Sequence, residues 1–165
     1  MFNFSSKKKV KEFKVVSPVE GKLINISEVD DQVFSKKIIG DGFAVIPSKK
    51  VIGSPISGQV EMVFPTKHAI GLKTNDGIEL ILHVGINTVE LNGEGFSTFV
   101  KAGDNVKQGQ KLITISDELF NNRDVNLVTI VIFPGNTNLH TDFSDKTVEL
   151  GEGVICNDTC FKKDK

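Results

Sequence analysis

Residues 66–86 read TKHAIGLKTNDGIELILHVGI. Two strand-like runs flank the turn signal at residues 74–77, and apolar runs on either side of Asn-Asp-Gly are typical of a β-hairpin. A histidine stands towards the outer end of each run, His68 in the first and His83 in the second. This stretch therefore predicts a hairpin that carries two imidazoles.

The rest of the chain shows the same strand pattern. Short β-branched or alternating runs recur about every ten residues between Gly, Pro, Asn and Asp, which is typical of an all-β sandwich or barrel. The runs are 13–17, 21–27, 43–46, 56–64, 67–73, 78–84, 96–100, 111–116 and 127–133. A short helix is predicted from its N-cap, Ser116, to about Arg123. We expect an antiparallel β-sandwich or wrapped barrel with one or two short helices.

The chain also contains an internal echo. Residues 17–23, SPVEGKL, match residues 54–60, SPISGQV, with Pro and Gly framing the entry to a strand each time. This match predicts a structural pseudo-repeat. We expect one folded domain over 13–160, a flexible N-terminal segment over 1–12 and a flexible tail over 161–165.

Composition limits the function classes. The formal net charge is −1 at pH 7, which excludes the strong positive balance of proteins that bind nucleic acid without sequence preference. Arg123 is the one arginine, so guanidinium clamps cannot be the basis of phosphate recognition. There are 12 Phe but no Trp or Tyr, so any docking face should be purely apolar. No signal peptide or membrane span is predicted, and we expect a cytoplasmic chain.

The loop of the hairpin decides how the two histidines meet. A two-residue loop at Asn75-Asp76, or a four-residue loop, sets His68 directly opposite His83, and a loop one residue later sets them diagonally. Cβ atoms are then about 5 Å or about 7–8 Å apart, so the imidazoles can meet in either register. Alternation along the strands predicts the neighbours on their face. These are Phe64, Thr66, Ile70, Leu72 and Ile81.

Two imidazoles on a mostly apolar face suit phosphohistidine or metal chemistry. A desolvated imidazole tends to be neutral, with a lone pair for attack or ligation, and a second imidazole can donate to an oxyanion. The alternative is a pair of structural histidines that hydrogen-bond to the backbone. A catalytic zinc site needs three protein ligands, yet His140 lies in a polar stretch and is expected to be solvated. Cys156 and Cys160 are expected to be reduced thiols without a role. Residues 40–42, GDG, are too short for a nucleotide-phosphate loop.

Taken together, these residues resemble the enzyme IIA component of the glucose-type sugar phosphotransferase system, over about residues 13–158. The resemblance is carried by VFSKKIIGDG (33–42), SPISG (54–58), TKHA (66–69), LHVGI (82–86) and TVELNGEGF (88–96). The last two blocks are the most specific. The resemblance implies an antiparallel β-sandwich.

The resemblance also implies a site. His83 would be the nucleophile, taking a phosphoryl group on Nε2 from the phosphocarrier protein HPr and passing it to a cysteine of the IIB domain of a membrane sugar permease. His68 would be required for the onward step, with Thr66 in its hydrogen-bond network. The Gly85 carbonyl would fix the tautomer of His83.

A docking surface for both partners is implied as well. Its expected residues are Asp31, Val33, Phe34, Ile38, Ile39, Phe64, Asn87 and Val89. Asn87 stands where members of the family commonly carry Asp, so charge attraction of HPr should be weaker. No cofactor is required, and a zinc ion at His68 and His83 would need ligands from a partner protein.

Two other function classes fit parts of the sequence. A lipoyl- or biotin-carrying domain shares the SPISGQV pattern but needs a lysine at a hairpin tip, and residues 61–63, EMV, have none. A zinc peptidase of the lysostaphin type would need a His-x-His motif, which is absent. We expect a free-standing monomer that binds HPr and a IIB domain and no nucleic acid.

Overall fold

A computed structural model describes residues 13–136, 139, 143 and 145–156. The predictions for the segment 1–12, the tail 161–165, His140 and Cys160 lie outside the described residues. Cys156 is a free thiol. None of the helices in the described part of the chain is long and apolar enough to span a membrane.

The described residues form thirteen β-strands and two single-turn helices. The strands are β1 Phe13–Val16, β2 Gly21–Asn25, β3 Gly40–Pro47, β4 Val51–Gly53, β5 Gly58–Val63, β6 Ala69–Thr74, β7 Glu79–Val84, β8 Phe96–Thr98, β9 Asn105–Val106, β10 Lys111–Ile115, β11 Thr129–Pro134, β12 Lys146–Val148 and β13 Gly153–Cys156. The helices are α1 Gln32–Ser35 and α2 Asp117–Phe120, and 3-10 turns cover Ile26–Glu28 and Thr88–Leu91. Every predicted run overlaps a strand, whereas β4, β9, β12 and β13 lie outside the predicted runs.

The predicted helix is present but shorter than expected. The Ser116 hydroxyl accepts a hydrogen bond from the Leu119 N–H, as an N-cap does. The helix ends at Phe120, three residues before Arg123.

The strands pair antiparallel in three sheets. The largest has the order β12-β2-β3-β11-β7-β6-β5-β9, the second has β4-β10-β8, and the third pairs β1 with β13. The largest sheet ends at β12 and β9, so it does not close on itself. The all-β sandwich is therefore confirmed, and the wrapped barrel, offered as its alternative, is wrong in that respect.

The two predicted repeats pack against each other as equivalent units. The Val16 N–H donates to the Pro55 carbonyl at 2.8 Å, and the Gly53 N–H donates to the Pro18 carbonyl at 2.7 Å. Each repeat thus uses the same positions to bind the other. The pseudo-repeat is confirmed at the level of these hydrogen bonds.

Two hydrophobic clusters lie on opposite faces of the large sheet. The inner core fills the space between the sheets, and its largest side chains include Phe43, Ile52, Ile56, Leu72, Leu82 and Leu112. The outer cluster is smaller and comprises Ile24, Ile26, Val29, Phe34, Ala44, Val128, Ile130 and Ile132. The chain segment that runs from Ile26 to Ser35 supplies part of the outer cluster, and it covers the sheet beside His83.

Candidate active site

The hairpin formed by β6 and β7 has a register that neither sequence prediction anticipated. Ala69 pairs with His83, and Lys73 pairs with Glu79. Three residues form the loop, because the Thr74 N–H donates to the Ile78 carbonyl and Gly77 takes a left-handed φ of 96°. A three-residue loop that ends in a left-handed glycine is a common hairpin turn. Both predicted registers are therefore wrong by one residue.

A shift of one residue exchanges the two faces of a strand. Ile70 and Leu72 lie in the inner core and not beside His83 as predicted. His83 shares its face with Ala69, its cross-strand partner, and with Ile81.

The two imidazoles nevertheless meet. His68 stands just before β6, in a bend where Lys67 takes a left-handed φ of 61°, so it is free of the strand's alternation. The ring centroids of His68 and His83 are 4.9 Å apart and the rings are nearly perpendicular, at 86°.

Three further side chains hold the histidine pair in place. The Thr66 Oγ1 lies 2.7 Å from Nδ1 of His68, within a hydrogen bond. The Phe64 ring meets His68 edge-on at 5.7 Å between centroids, and the Phe34 ring packs against His83 at 4.9 Å. Of the residues expected at the site, Phe64 and Thr66 are thus brought to it.

Burial keeps both histidines neutral. The pKa of His83 is lowered to about 4: desolvation by burial is the largest cause and the neighbouring His68 imidazole acts in the same direction, whereas the Gly85 backbone and the Asp31 carboxylate oppose them. Desolvation also lowers the pKa of His68, opposed by a backbone hydrogen bond at Thr66. At neutral pH each ring therefore carries one lone pair and one proton.

Nδ1 of His83 is buried and makes no hydrogen bond of normal length and angle. The Gly85 backbone is oriented towards the ring and raises the pKa of His83, so its interaction with the ring falls outside normal hydrogen-bond geometry. Catalytic hydrogen bonds are often long in unliganded structures and shorten in the reacting complex. Nδ1 is thus a buried nitrogen of His83 that has no hydrogen-bond partner of normal geometry.

Four of the apolar residues expected at the docking surface have exposed side chains. Val33 is 43% exposed, Ile38 67%, Ile39 39% and Val89 49%. Phe34 is only 7% exposed, so this side chain packs beneath His83 and contributes little surface of its own. The four exposed side chains are called the apolar rim below.

The segment after α1 is tied to the sheet by a buried carboxylate that sequence analysis missed. Asp41 accepts hydrogen bonds from the Gly42 and Leu139 N–H groups and pairs with Lys37 at 3.2 Å. Lys37 takes a left-handed φ of 57° directly before Ile38. The GDG motif that contains Asp41 is too short for a phosphate loop and ends one of the blocks that carry the family resemblance, and the role of Asp41 here is to anchor this segment.

Asp31 and Asn87 lie at the ends of short turns. The Asp31 carboxylate caps α1 by accepting the Val33 N–H at 2.9 Å, and it lies close enough to His83 to raise its pKa. Asn87 is exposed and takes a left-handed φ of 59°, a conformation that Asn tolerates better than most residues.

The site offers two nitrogen ligands to a metal ion. Among the described residues, no group of three or more His, Cys, Asp or Glu side chains is arranged so that it could hold a metal ion. Because tetrahedral zinc takes four ligands, the pair fits half of a zinc shell and does not fit a resident zinc ion.

Comparisons with known protein families and solved structures identify the family. The family model described as "phosphoenolpyruvate-dependent sugar phosphotransferase system, EIIA 1" matches residues 13–139. Among solved structures, the chain is similar to glucose permease IIA from Mycoplasma capricolum, with 37% sequence identity, 96% of each chain covered and a TM-score of 0.70. The lipoyl or biotinyl carrier and the zinc peptidase receive no support. The chain therefore belongs to the EIIA family of the phosphoenolpyruvate-dependent sugar phosphotransferase system, and it is a phosphoryl-relay component of that system.

Proposed function

We propose that Nε2 of His83 accepts a phosphoryl group from phospho-HPr and passes it to a cysteine of the IIB domain of a glucose-type sugar permease. The observation that carries this proposal is the contact of two neutral imidazoles whose ring centroids are 4.9 Å apart. Family membership supports the role as a phosphoryl relay. The assignment of Nε2 of His83 as the atom that takes the phosphoryl group rests on this contact between the two histidines.

In the accepting step, His83 attacks phosphorus with its neutral imidazole. The proton sits on Nδ1, the buried nitrogen, so that Nε2 carries the lone pair. The new N–P bond forms in line as the bond between phosphorus and the donor breaks, and no proton needs to leave His83 in that step. The lowered pKa of His83 supports this role, because a protonated ring could not attack.

In the donating step, His68 supports the transferring group. If the Thr66 hydroxyl donates to Nδ1 of His68, the proton of that ring lies on Nε2, from where it can hydrogen-bond an equatorial phosphoryl oxygen. The edge-on arrangement of the two rings is compatible with such a hydrogen bond. The phosphoryl group then leaves Nε2 of His83 for the thiolate of the IIB cysteine.

The partners dock on the apolar rim, formed by Val33, Ile38, Ile39 and Val89. Phe64 and Phe34 border the histidines on the inner side of this surface. A closed apolar contact keeps water from hydrolysing the phosphohistidine. Asp31 supplies negative charge for basic residues of HPr, and Asn87 contributes no charge there.

The proposal needs no cofactor. A zinc ion could be held by His68 and His83 only in a complex whose partner completes the shell. The relay operates in the cytoplasm with the chain as a monomer, since each transfer needs only one histidine pair.

The test is phosphorylation of the purified protein with phosphoenolpyruvate, enzyme I and HPr. The expected product carries one phosphate that is labile in acid and stable in base, and it loses that phosphate when a IIB domain is added. A mixture without HPr is the control. If the complete mixture leaves the protein without phosphate, the proposal is wrong.

A further inference from the structure

The strand that carries His83 leaves the sheet in an unusual way. At the end of β7, the Gly85 N–H donates to the Val128 carbonyl at 2.8 Å. In a regular antiparallel pair, two such residues exchange both of their hydrogen bonds. The Val128 N–H donates instead to Oδ1 of Asn126 at 3.0 Å. Asn126 thus takes the donor that the regular ladder would give to the Gly85 carbonyl.

A side chain also replaces the ladder on the other edge of β7. The Val84 N–H donates to the His68 carbonyl at 2.7 Å, and a regular pair would return a bond from the His68 N–H to the Val84 carbonyl. That carbonyl accepts the Thr88 hydroxyl instead, at 2.5 Å. On both edges of the strand, a side chain therefore replaces a backbone hydrogen-bond partner at the point where the histidines meet.

This arrangement leaves the Gly85 carbonyl without a backbone hydrogen-bond partner. Among the backbone amides that the structure describes, none donates to it. The Ile86 N–H is held by the Asn126 carbonyl at 2.9 Å, which fixes the peptide plane between Gly85 and Ile86. The chain can approach so closely because Gly85 has no Cβ, which would lie 2.4 Å from Cγ2 of Thr88 and 2.9 Å from the backbone carbonyl oxygen of Asn126. The Gly85 carbonyl and the unpaired Nδ1 of His83 are two residues apart on the same turn.

We propose that Asn126 is a positioning residue for the His83 nucleophile. By accepting the Val128 N–H, its side chain holds the turn whose backbone carbonyl binds the Ile86 N–H. That turn keeps the Gly85 carbonyl directed towards His83, where it can hold the proton on Nδ1 and so leave the lone pair on Nε2. The inference deepens the proposed function, and its catalytic part rests on that function. The tautomer of His83 can be tested whether or not the proposed function is correct.

Loss of the Asn126 acceptor has a definite consequence. In Asn126→Ala the Val128 N–H loses its acceptor, so the turn whose backbone carbonyl binds the Ile86 N–H is less firmly held, and with it the plane of the Gly85 carbonyl. Only one partly buried hydrogen bond is lost, so the free energy of unfolding should fall only slightly. The proton of His83 should shift towards a mixture of Nδ1 and Nε2 tautomers.

The matched control lies in the same loop. The Asn122 side chain accepts the Asp124 N–H at 3.0 Å, in the same two-residue turn that Asn126 forms with Val128. Asn122→Ala therefore removes a hydrogen bond of the same kind, at a more exposed place, without touching Gly85. Asn126→Ser is the rescue variant, because a serine hydroxyl can accept the same N–H without adding charge.

The experiment has two readouts. The first is the imidazole ¹⁵N shifts of His83 in the unphosphorylated protein, which report the tautomer without any phosphoryl transfer. The second is the second-order rate of phosphorylation by phospho-HPr. We expect Asn126→Ala to lose the pure Nδ1–H signature and to react about tenfold more slowly, Asn126→Ser to recover both, and Asn122→Ala to match the unsubstituted protein.

The outcomes separate the two proposals. Unchanged ¹⁵N shifts in Asn126→Ala overturn the inference, whatever the rates, and equal changes in Asn122→Ala overturn it as well. Absence of phosphorylation in the unsubstituted protein overturns the proposed function, while the ¹⁵N shifts still decide whether Asn126 sets the tautomer.

Discussion

The two faces of β7 differ in almost every physical respect. Leu80, Leu82 and Val84 point into the inner core and are at most 1% exposed. Ile81 and His83 point to the opposite face and are only partly buried. The first face is closed by a second sheet, whereas on the second face His83 packs against the segment from Ile26 to Ser35, which supplies part of the outer cluster.

The difference shows how one strand supports both stability and chemistry. A side chain of the inner core is surrounded by close-packed apolar groups, so its loss leaves a cavity. An imidazole at the edge of the outer cluster is dry enough to stay neutral yet open enough to reach a partner. Substitutions on the two faces should therefore have separable effects, and the following predictions test that separation.

His83→Gln should have the largest effect on function. Phosphate uptake from phospho-HPr should fall to background, because no other side chain offers a lone pair at this place. The free energy of unfolding should hardly fall, since the buried Nδ1 that disappears makes no hydrogen bond. Radiolabelled phosphate incorporation and urea unfolding measure the two effects. Stoichiometric labelling of the variant would contradict the assignment.

Leu82→Ala should have the largest effect on stability. Truncation of a fully buried leucine typically costs about 2–5 kcal/mol, and Leu82 has no exposed surface. At a temperature where the variant stays folded, its phosphorylation rate should remain within about threefold of that of the unsubstituted protein. Urea unfolding and rapid-quench labelling provide the comparison. A large loss of rate in the fully folded variant would show that the two faces are not separable.

His68→Gln should divide the two half-reactions. Uptake of phosphate should persist, because Nε2 of His83 suffices for attack, whereas donation to a IIB cysteine should fall about 100-fold for want of a hydrogen bond to the transferring group. The two rates are measured separately in single-turnover experiments. An equal loss in both directions would contradict this division of roles.

The outer face should also make the protein sensitive to acid. The pKa of His83 is about 4 in the folded chain, against about 6.5 when unfolded. Between these values the unfolded state binds more protons, so stability is complete above pH 6.5 and is lost as pH falls towards 4, by up to about 3 kcal/mol. His68 acts in the same direction.

Urea unfolding between pH 7 and pH 4 measures this effect, and His83→Gln is its control. The variant should lose less stability than the unsubstituted protein over that range. Phosphorylation should stay constant from pH 8 to about pH 5.5 and fall below, as the ring becomes protonated. Parallel stability curves for both proteins would be evidence that His83 is not held neutral by burial.

Zinc should have the smallest effect. Two nitrogens provide half of a tetrahedral shell, so the isolated chain should bind zinc only weakly, and appreciable affinity should require ligands from a partner. Titration calorimetry is the measurement, with His68→Ala and His83→Ala as controls. Submicromolar binding that both variants abolish would show that the chain completes the site by itself and would reopen the metalloenzyme alternative.

Sequence reasoning reached the sandwich and the meeting of His68 with His83, because strand periodicity and the turn signal are local properties. It missed the register, since Asn-Asp-Gly permits loops of two, three or four residues, and only the packing of Ile70 and Leu72 into the inner core selects three. That choice depends on distant strands.

Local sequence patterns could not predict the roles of the supporting residues of the site either. Phe34 belongs to the apolar block that suggested docking, but whether it points inwards depends on how the capped turn at Asp31 sits on the sheet. Asp41 and Asn126 act through hydrogen bonds to segments that only the fold brings near. Residue type alone carries no signal for such roles.

The most direct test of the account is to locate the phosphate in the phosphorylated protein. Labelling with ¹⁵N-histidine allows the coupling between ³¹P and a ring nitrogen to be observed and assigned. The account predicts one phosphohistidine, with phosphorus bonded to Nε2 of His83. Phosphorus bonded to Nδ1 of His83, or to either ring nitrogen of His68 or His140, would contradict it.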